Sequence, residues 1–427
     1  MSSRVLAILA LGALAGHARA QSCPPQWLAG SHNLGYFGTA LAMTMWDPDA
    51  QGPQPALLIF AGTITQAGGN VTVNRIASYN PSTGEFARMG AGISPGGNVI
   101  DVGVLADNSL VIAGSFSSGV KRWDGTEWMP ISAGGPTMGA DPGVVTAMAV
   151  SGMDICAVGT FSAWNGVPVA GLARWNGSAW GAFGSAPADV FDVAIDAQGR
   201  EVTGERNFAR RFGGGAFTAN VTGLTQTVNR VWSMGGDRLA ATGQFTAING
   251  VAANRAAWFN GLAWSPMAFS SPNITFTGPV VVAANGEIFA GGSGGVLNQH
   301  GVLRFRNNQW EPFATGLNGS ITAMTITPNG DLFVAGNFTS AGGLPAAKLA
   351  RVGYVGNCAC DSIDFNNDTS LFDPVDVDAF FSVFSEGPCI PANATCNDID
   401  FNNDGSLFDP ADVDAFFRVF SEGPCAP

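Results

Sequence analysis

The residues best suited to chemistry lie in the last seventy positions, where one segment is written twice: CDSIDFNNDTSLFDPVDVDAFFSVFSEGPC from Cys360 and CNDIDFNNDGSLFDPADVDAFFRVFSEGPC from Cys396. Each copy puts oxygen-bearing side chains on alternate loop residues, Asp364, Asn366 and Asp368 and then Asp400, Asn402 and Asp404. Hard oxygen donors at loop positions one, three and five are what a calcium ion takes from an EF-hand-like loop. The main-chain ligand at position seven would be the carbonyl of Ser370 or Ser406. The closing acid of position twelve is displaced by one residue to Asp376 and Asp412, with Asp373 and Asp409 three residues earlier, so each loop is read as one residue longer. Gly405 suits the sharp turn of the second loop, whereas Thr369 stands there in the first. Two Ca2+ sites are expected, the first the weaker. The competing reading of these acids is a solvated turn with helix caps; a D-x-N-x-D spacing kept twice favours the metal.

A helix must carry the closing acid of each loop. Asp373-Pro374 and Asp409-Pro410 read as an N-cap followed by a first-turn proline, so Asp373 and Asp409 serve either as caps or as ligands. Val377, Phe380, Phe381 and Phe384 recur at helical spacing, as do Val413, Phe416, Phe417 and Phe420, and Gly387-Pro388 and Gly423-Pro424 end the helices. Each unit is thus a loop and one helix.

Two such units in tandem resemble dockerin domains, specifically the cysteine-flanked, phenylalanine-rich GC-type. The resemblance covers residues 358 to 427. It implies a calcium-dependent tail that binds a cohesin-like or other anchoring protein and ties its cargo to a surface or assembly. Pro374 and Pro410 depart from the family, which presents small polar residues to cohesin there. The antiparallel helices of dockerins would put each loop start beside the other helix end and favour Cys360 with Cys425 and Cys389 with Cys396; pairing within each repeat is the alternative.

Composition sets the compartment. Residues 1–20 hold one early arginine, the apolar run VLAILALGALAG and Ala18-Arg19-Ala20, a secretory signal with a small-x-small cleavage site. No later stretch is long and apolar enough to span a bilayer, so direct membrane insertion is not expected and attachment would be indirect. Of the chain's acids, fourteen lie in residues 358–427 against one base, Arg418, so the net charge of −13 belongs to the tail and the rest is neutral. A neutral body lacks the basic footprint that nucleic acid requires. Export permits disulfides.

The body is a second set of repeats. GTITQAGG at Gly62, GSFSSG at Gly114, GTFSAWNG at Gly159, GQFTAING at Gly243 and GNFTSAGG at Gly336, with eroded copies at Gly204 and Gly291, are separated by 52, 45, 45, 39, 48 and 45 residues. That period belongs to propeller blades, and seven anchors imply seven. Four strands per blade are clearest in the third: 144–150, 154–162, 171–177 and 178–184. Asn176-Gly177 reads as a two-residue type I′ hairpin between the last two, repeated from Lys121, Ala257 and Leu303. The seventh blade ends without a fourth strand, and QWLAG (26–30) matches the missing one, so an N-terminal strand is expected to close the ring. Cys23 would then lie near Cys358, and a disulfide between them is predicted. The repeats also resemble propellers of secreted bacterial proteins and, more distantly, kelch-like and Rax2-like repeats. The expected fold class is mostly β: a signal peptide (1–20), a seven-bladed β-propeller (21–355) and a small α-helical calcium-loop domain (356–427).

The body's catalytic inventory is thin. Past the signal the histidines are His32 and His300 and the tyrosines Tyr36, Tyr79 and Tyr354, with no nucleophile–base spacing. His300 is expected in a loop before a third strand. Asp101, Asp192 and Glu205 are the acids nearest the predicted inner strands, and a carboxylate pair can meet in space without sequence proximity. Most tryptophans, Trp123, Trp175 and Trp264 among them, fall at fixed repeat positions and read as packing. Trp164, taken as replacing the first glycine of an Ala-Gly-Gly loop, is the candidate to stack on a carbohydrate or another ligand. Cys156, in an apolar strand, is expected to be a buried thiol. The glycine-rich GGSGG lacks a P-loop lysine. The leading expectation is a secreted, non-catalytic binding or scaffold protein held at a cell surface or in an extracellular complex; a polysaccharide-active enzyme and a structural envelope protein are the alternatives.

Overall fold

A computed structural model describes residues 25–353 with interruptions of at most seven residues, and in the tail residues 365–366, 374–385, 388, 401, 413 and 415–417. Pro25–Gly353 forms one compact unit, and the tail belongs to a second.

Among the described residues of the body, six four-stranded antiparallel sheets share one plan, and a seventh set of four strands, from Thr275–Val282 to Gln309–Leu317, follows it within a larger seven-stranded sheet that Ala268–Phe269 joins in parallel. Their first strands are Ala40–Trp46, Val99–Val104, Val144–Ser151, Val190–Ile195, Val228–Ser233, Thr275–Val282 and Ile321–Ile326. The third sheet continues with Asp154–Thr160, Leu172–Trp175 and Trp180–Ala182, close to the expected boundaries. The seventh takes its fourth strand from the N-terminus: Gln26 lies opposite Gly353 and Trp27 opposite Val352.

The second strands explain why the repeats assemble. Every residue of Leu110–Gly114 and of Leu332–Gly336 is buried, so these runs are apolar on both faces and each sheet must be covered on both sides. Neighbouring sheets provide that cover. Ile59 and Ile112 share one core, Ala113 and Val145 another, and Trp232 and Leu303 another; Phe60 of the first sheet packs with Phe333 of the seventh. The Thr322 hydroxyl of the seventh sheet donates to the Ala40 carbonyl of the first at 2.6 Å.

The repeated glycine has one cause in every intact copy. The first strand carries a one-residue bulge near its start, at Leu41, Ile100, Thr146 and Thr322 for example, and the glycine of the second strand faces it. A Cβ on Gly62, Gly114, Gly159 or Gly336 would lie 2.0 Å from the carbonyl oxygen of Thr39, Asn98, Val144 or Ser320. No side chain fits there. In the fourth sheet the register puts Glu205, not Gly204, opposite Val190, which is why that copy looks eroded.

The hairpins correct the reading of Asn-Gly. Between third and fourth strands, Trp175 pairs with Trp180 across four loop residues, and the Asn176 side chain accepts hydrogen bonds from the N–H groups of Ser178 and Ala179, both at 3.0 Å. Asp124 and Asn260 do the same in the second and fifth sheets. These are Asx turns, in which the side chain supplies the turn acceptor, and Asn176 does not adopt positive φ. The type I′ turn occurs one hairpin earlier, at Asn165 (φ 50°) and Gly166 (φ 78°) and at Gly342 and Gly343 (φ 55° and 84°). The Asx turns hold aromatic pairs across the strands: Trp123 with Trp128 at 5.1 Å and Trp175 with Trp180 at 5.8 Å between ring centroids. Arginines on third strands tie back to acids at the start of the second, as Arg174 does to Asp154 at 2.5 Å.

In the tail, Pro374–Phe384 is an α-helix, and residues 413 and 415–417 are helical. Phe365, Phe380, Phe401 and Phe416 are fully buried in one core, with Phe380 stacked on Phe416 at 4.2 Å. The two halves of the duplication therefore share a single core. No helix among the described residues is long and apolar enough to cross a membrane.

Substituting Gly159 by alanine is expected to cost about 1–3 kcal/mol of stability, because the new methyl meets main chain that cannot rotate away. Gly181→Ala, with nothing within 4 Å of the added atom, is the neutral control. Thermal unfolding of the two variants checks the difference.

Candidate functional site

The first strands of all seven sheets line one cavity of about 500 Å³. The bulges place equivalent residues there: Ala42, Asp101, Ala147, Asp192, Arg230 and Ala323 each follow the bulged residue of their strand. Two of the acids singled out in the sequence are thus brought to the same wall. Glu205 ends a second strand.

Main-chain donors from the next sheet hold both carboxylates. Asp101 accepts from the N–H of Val102 at 2.8 Å and from that of Met148 in the third sheet at 3.0 Å. Asp192 accepts from the N–H of Val231 in the fifth sheet at 3.0 Å and faces the Arg230 guanidinium at 3.5 Å. Burial pushes Asp101 up to about 6 against the lowering effect of its hydrogen bonds. Asp192 is also raised, chiefly by burial, with Arg230 opposing. Arg230 was not singled out in the sequence. Its signal is positional, the slot after the bulge that Asp101 and Asp192 also occupy, and that slot exists only once the register is known.

Trp164 does not face solvent. It is fully buried, stacked on Trp180 at 3.9 Å with Phe161 edge-on at 5.3 Å. It lies opposite Val167 and takes the place held in other repeats by Ala67, Ile248 and Ala341, all buried. The glycine position belongs to Asn165. Trp164 is therefore a packing residue, correcting its assignment as a ligand platform. His300 is the first residue of a strand, opposite Ser293 and Leu317, and not in a loop. Cys156 is fully buried, as expected.

In the tail two of the candidate metal ligands are described, and both are buried: Asn366 at 1% exposure and Asp376 at 0%, with the Asn366 N–H 3.4 Å from Asp376 Oδ1. The first loop and the helix that follows it thus meet at a buried carboxylate. The other ligand candidates, Asp364, Asp368, Ser370, Asp373, Asp400, Asn402, Asp404, Ser406, Asp409 and Asp412, lie outside the described residues, as do Cys23, Cys358, Cys360, Cys389, Cys396, Cys425 and His32.

No family model and no curated protein sequence matches the chain. Among solved structures it is similar over 81% of its length to the extracellular domain of a putative hybrid two component system from B. thetaiotaomicron, at a TM-score of 0.50 and 10% identity, covering 42% of that chain. A WD40 β-propeller domain of Doa1 is similar at a TM-score of 0.48 and 11% identity, covering 74% of this chain and 93% of that one. A chain of a mitotic checkpoint complex gives 0.48 and 12%, covering 83% and 99%. Such identities speak to fold alone. The protein is a mostly-β repeat protein built from four-stranded antiparallel sheets.

Two outcomes follow. Trp164→Ala is expected to lower stability by about 3–5 kcal/mol, the cost of emptying a packed aromatic site, in a denaturant titration. The second concerns pH. Both axial carboxyls bind protons more tightly in the folded chain than at the ordinary value of 3.8, so they destabilise it when ionised. Their contribution makes the fold more stable as pH falls from 7 through 6 toward 4. Asp101→Asn is expected to flatten that rise in melting temperatures measured across this range.

Proposed function

We propose that the chain is a secreted, non-catalytic seven-bladed β-propeller whose body presents a binding surface and whose dockerin-like tail attaches it, through calcium, to a cell surface or extracellular complex. Each blade would be one of the seven four-strand sets, and the pairing of Gln26–Trp27 with Leu349–Gly353 supports an N-terminal strand completing the last. The observation that carries the tail reading is the fully buried Asp376 carboxylate beside Asn366, at the point where the first loop meets its helix. Asp376 stands in the place of the closing acid of a calcium loop, and Asn366 in that of a side-chain donor of the same loop. Asp364, Asn366, Asp368 and Asp376, with the Ser370 carbonyl, would hold one ion, and Asp400, Asn402, Asp404 and Asp412, with the Ser406 carbonyl, the other. Calcium would neutralise these acids and bind each loop to its helix, while the shared phenylalanine core joins the halves. Protein is the partner class a surface anchor requires. The non-catalytic reading of the body rests on its thin inventory of nucleophiles and bases, and its packed tryptophans agree with a scaffold.

Calorimetric titration of the full chain with Ca2+ is expected to show two ions, the second loop binding the tighter, and Asp404→Ala is expected to remove one. Capture of an anchoring protein from an envelope extract should then be lost with chelator. A chain that binds no calcium would overturn the reading of the tail.

A further inference from the structure

The axial cavity is divided by chemistry. Its charged groups, Asp101, Asp192 and Arg230, come from the second, fourth and fifth sheets with Thr146 of the third between them; Thr322 of the seventh sheet also lines it, its hydroxyl donated to the Ala40 carbonyl. The sixth, seventh and first sheets complete the wall with Pro279, Val280, Met324, Leu41 and Met43. A cavity of about 500 Å³ falls within the range of roughly 300–1,000 Å³ common to small-ligand sites. Its shape of chemistry calls for a molecule with one charged end and an apolar body.

The sign of the charged end follows from the balance of groups. Two carboxylates face one guanidinium, and that pair is long at 3.5 Å with Arg230 45% exposed. One negative charge is therefore left over on the polar side. The carboxylates are already oriented: each accepts a main-chain N–H from the next sheet, Asp101 from Met148 and Asp192 from Val231, so neither must reorganise to receive a donor. The geometry points to the axial cavity as a binding site for a small organic amine, its ammonium held between Asp101 and Asp192 and its hydrocarbon body against Val280, Met324 and Met43. Arg230 limits the affinity for such a cation and disfavours a bare divalent metal ion, which would sit beside a fixed positive charge without using the apolar wall.

This inference rests on the propeller reading of the body and is independent of the tail. The probe is 2-phenylethylamine, titrated calorimetrically into the full chain at pH 7.5, with 3-phenylpropionate and 3-phenylpropan-1-ol as anionic and neutral counterparts and calcium chloride as the metal arm. Saturable one-to-one binding of the amine is expected, with none of the anion or the alcohol, and with amine affinity unchanged when the tail is saturated with calcium. Asp101→Asn and Asp192→Asn should each weaken it by about tenfold or more, the loss of one charge-assisted partner, and Arg230→Met should tighten it. Equal or tighter binding of the anion, the alcohol or calcium at this site, or amine affinity unchanged in both aspartate variants, would overturn the proposal. If an aspartate variant fails to fold, the head-group series on the wild type and the Arg230→Met response decide the matter. Repeating the titration in chelator separates the two readings: amine binding that persists while the tail binds no calcium leaves the cavity assignment standing and removes only the anchor.

Discussion

The sheets of the body depend on one another because second strands such as Leu110–Gly114 and Leu332–Gly336 are apolar on both faces. Leu110–Gly114 and Leu332–Gly336 are buried throughout, and a four-stranded sheet exposes whichever face has no neighbour. Burial on two sides is thus an assembly rule, which each sheet satisfies by packing against the one before and the one after. The cross-strand aromatic pairs and the Arg174–Asp154 type of ion pair finish the outer parts of each sheet, but they are secondary to this demand. The core shared by Phe60 and Phe333 shows the same demand met between the first and last sheets, which are about 270 residues apart in the chain.

The bulge in each first strand converts that packing into a site. In the intact repeats it inserts one residue, re-aims the strand, lets a carbonyl approach the second strand so closely that only glycine fits opposite, and brings the next residue to the cavity wall. Where that next residue is alanine the position is silent. Where it is Asp101, Asp192 or Arg230 it carries charge into a partly buried space, and the fold holds the carboxylates with main-chain donors from adjacent sheets. A structural irregularity repeated for packing reasons thereby supplies the places at which chemistry can vary. The tail uses another logic: one core of phenylalanines from both repeats, with a buried carboxylate at the junction of loop and helix.

Much of this architecture was legible in the residues because it is local. The four strands of the third sheet, the glycine at each repeat, the pairing of residues 26–27 with the last sheet and the helix from Pro374 all follow from patterns within a few residues of each other or repeated at a fixed interval. Turn chemistry was legible in kind but not in place. Asn-Gly does make type I′ turns here, at Asn165-Gly166, yet at Asn176-Gly177 the side chain competes for the turn and wins by accepting two N–H groups. Trp164 was misread by a one-residue shift of the repeat alignment, which in a hairpin exchanges a turn position for a buried one.

By itself the sequence determined the mostly-β repeat character of the body, the neutral body and acidic tail, and the duplicated loop and helix whose donors suit calcium, since composition, periodicity and ligand spacing are properties of the chain alone. Only the tertiary structure decided which of many scattered polar residues share a wall. Asp101, Asp192 and Arg230 are separated by 91 and 38 positions. Nothing local marks them as neighbours. They meet because strand register, shifted by one residue at each bulge, sets which side chain faces the cavity, and register is fixed by the packing of one sheet on the next.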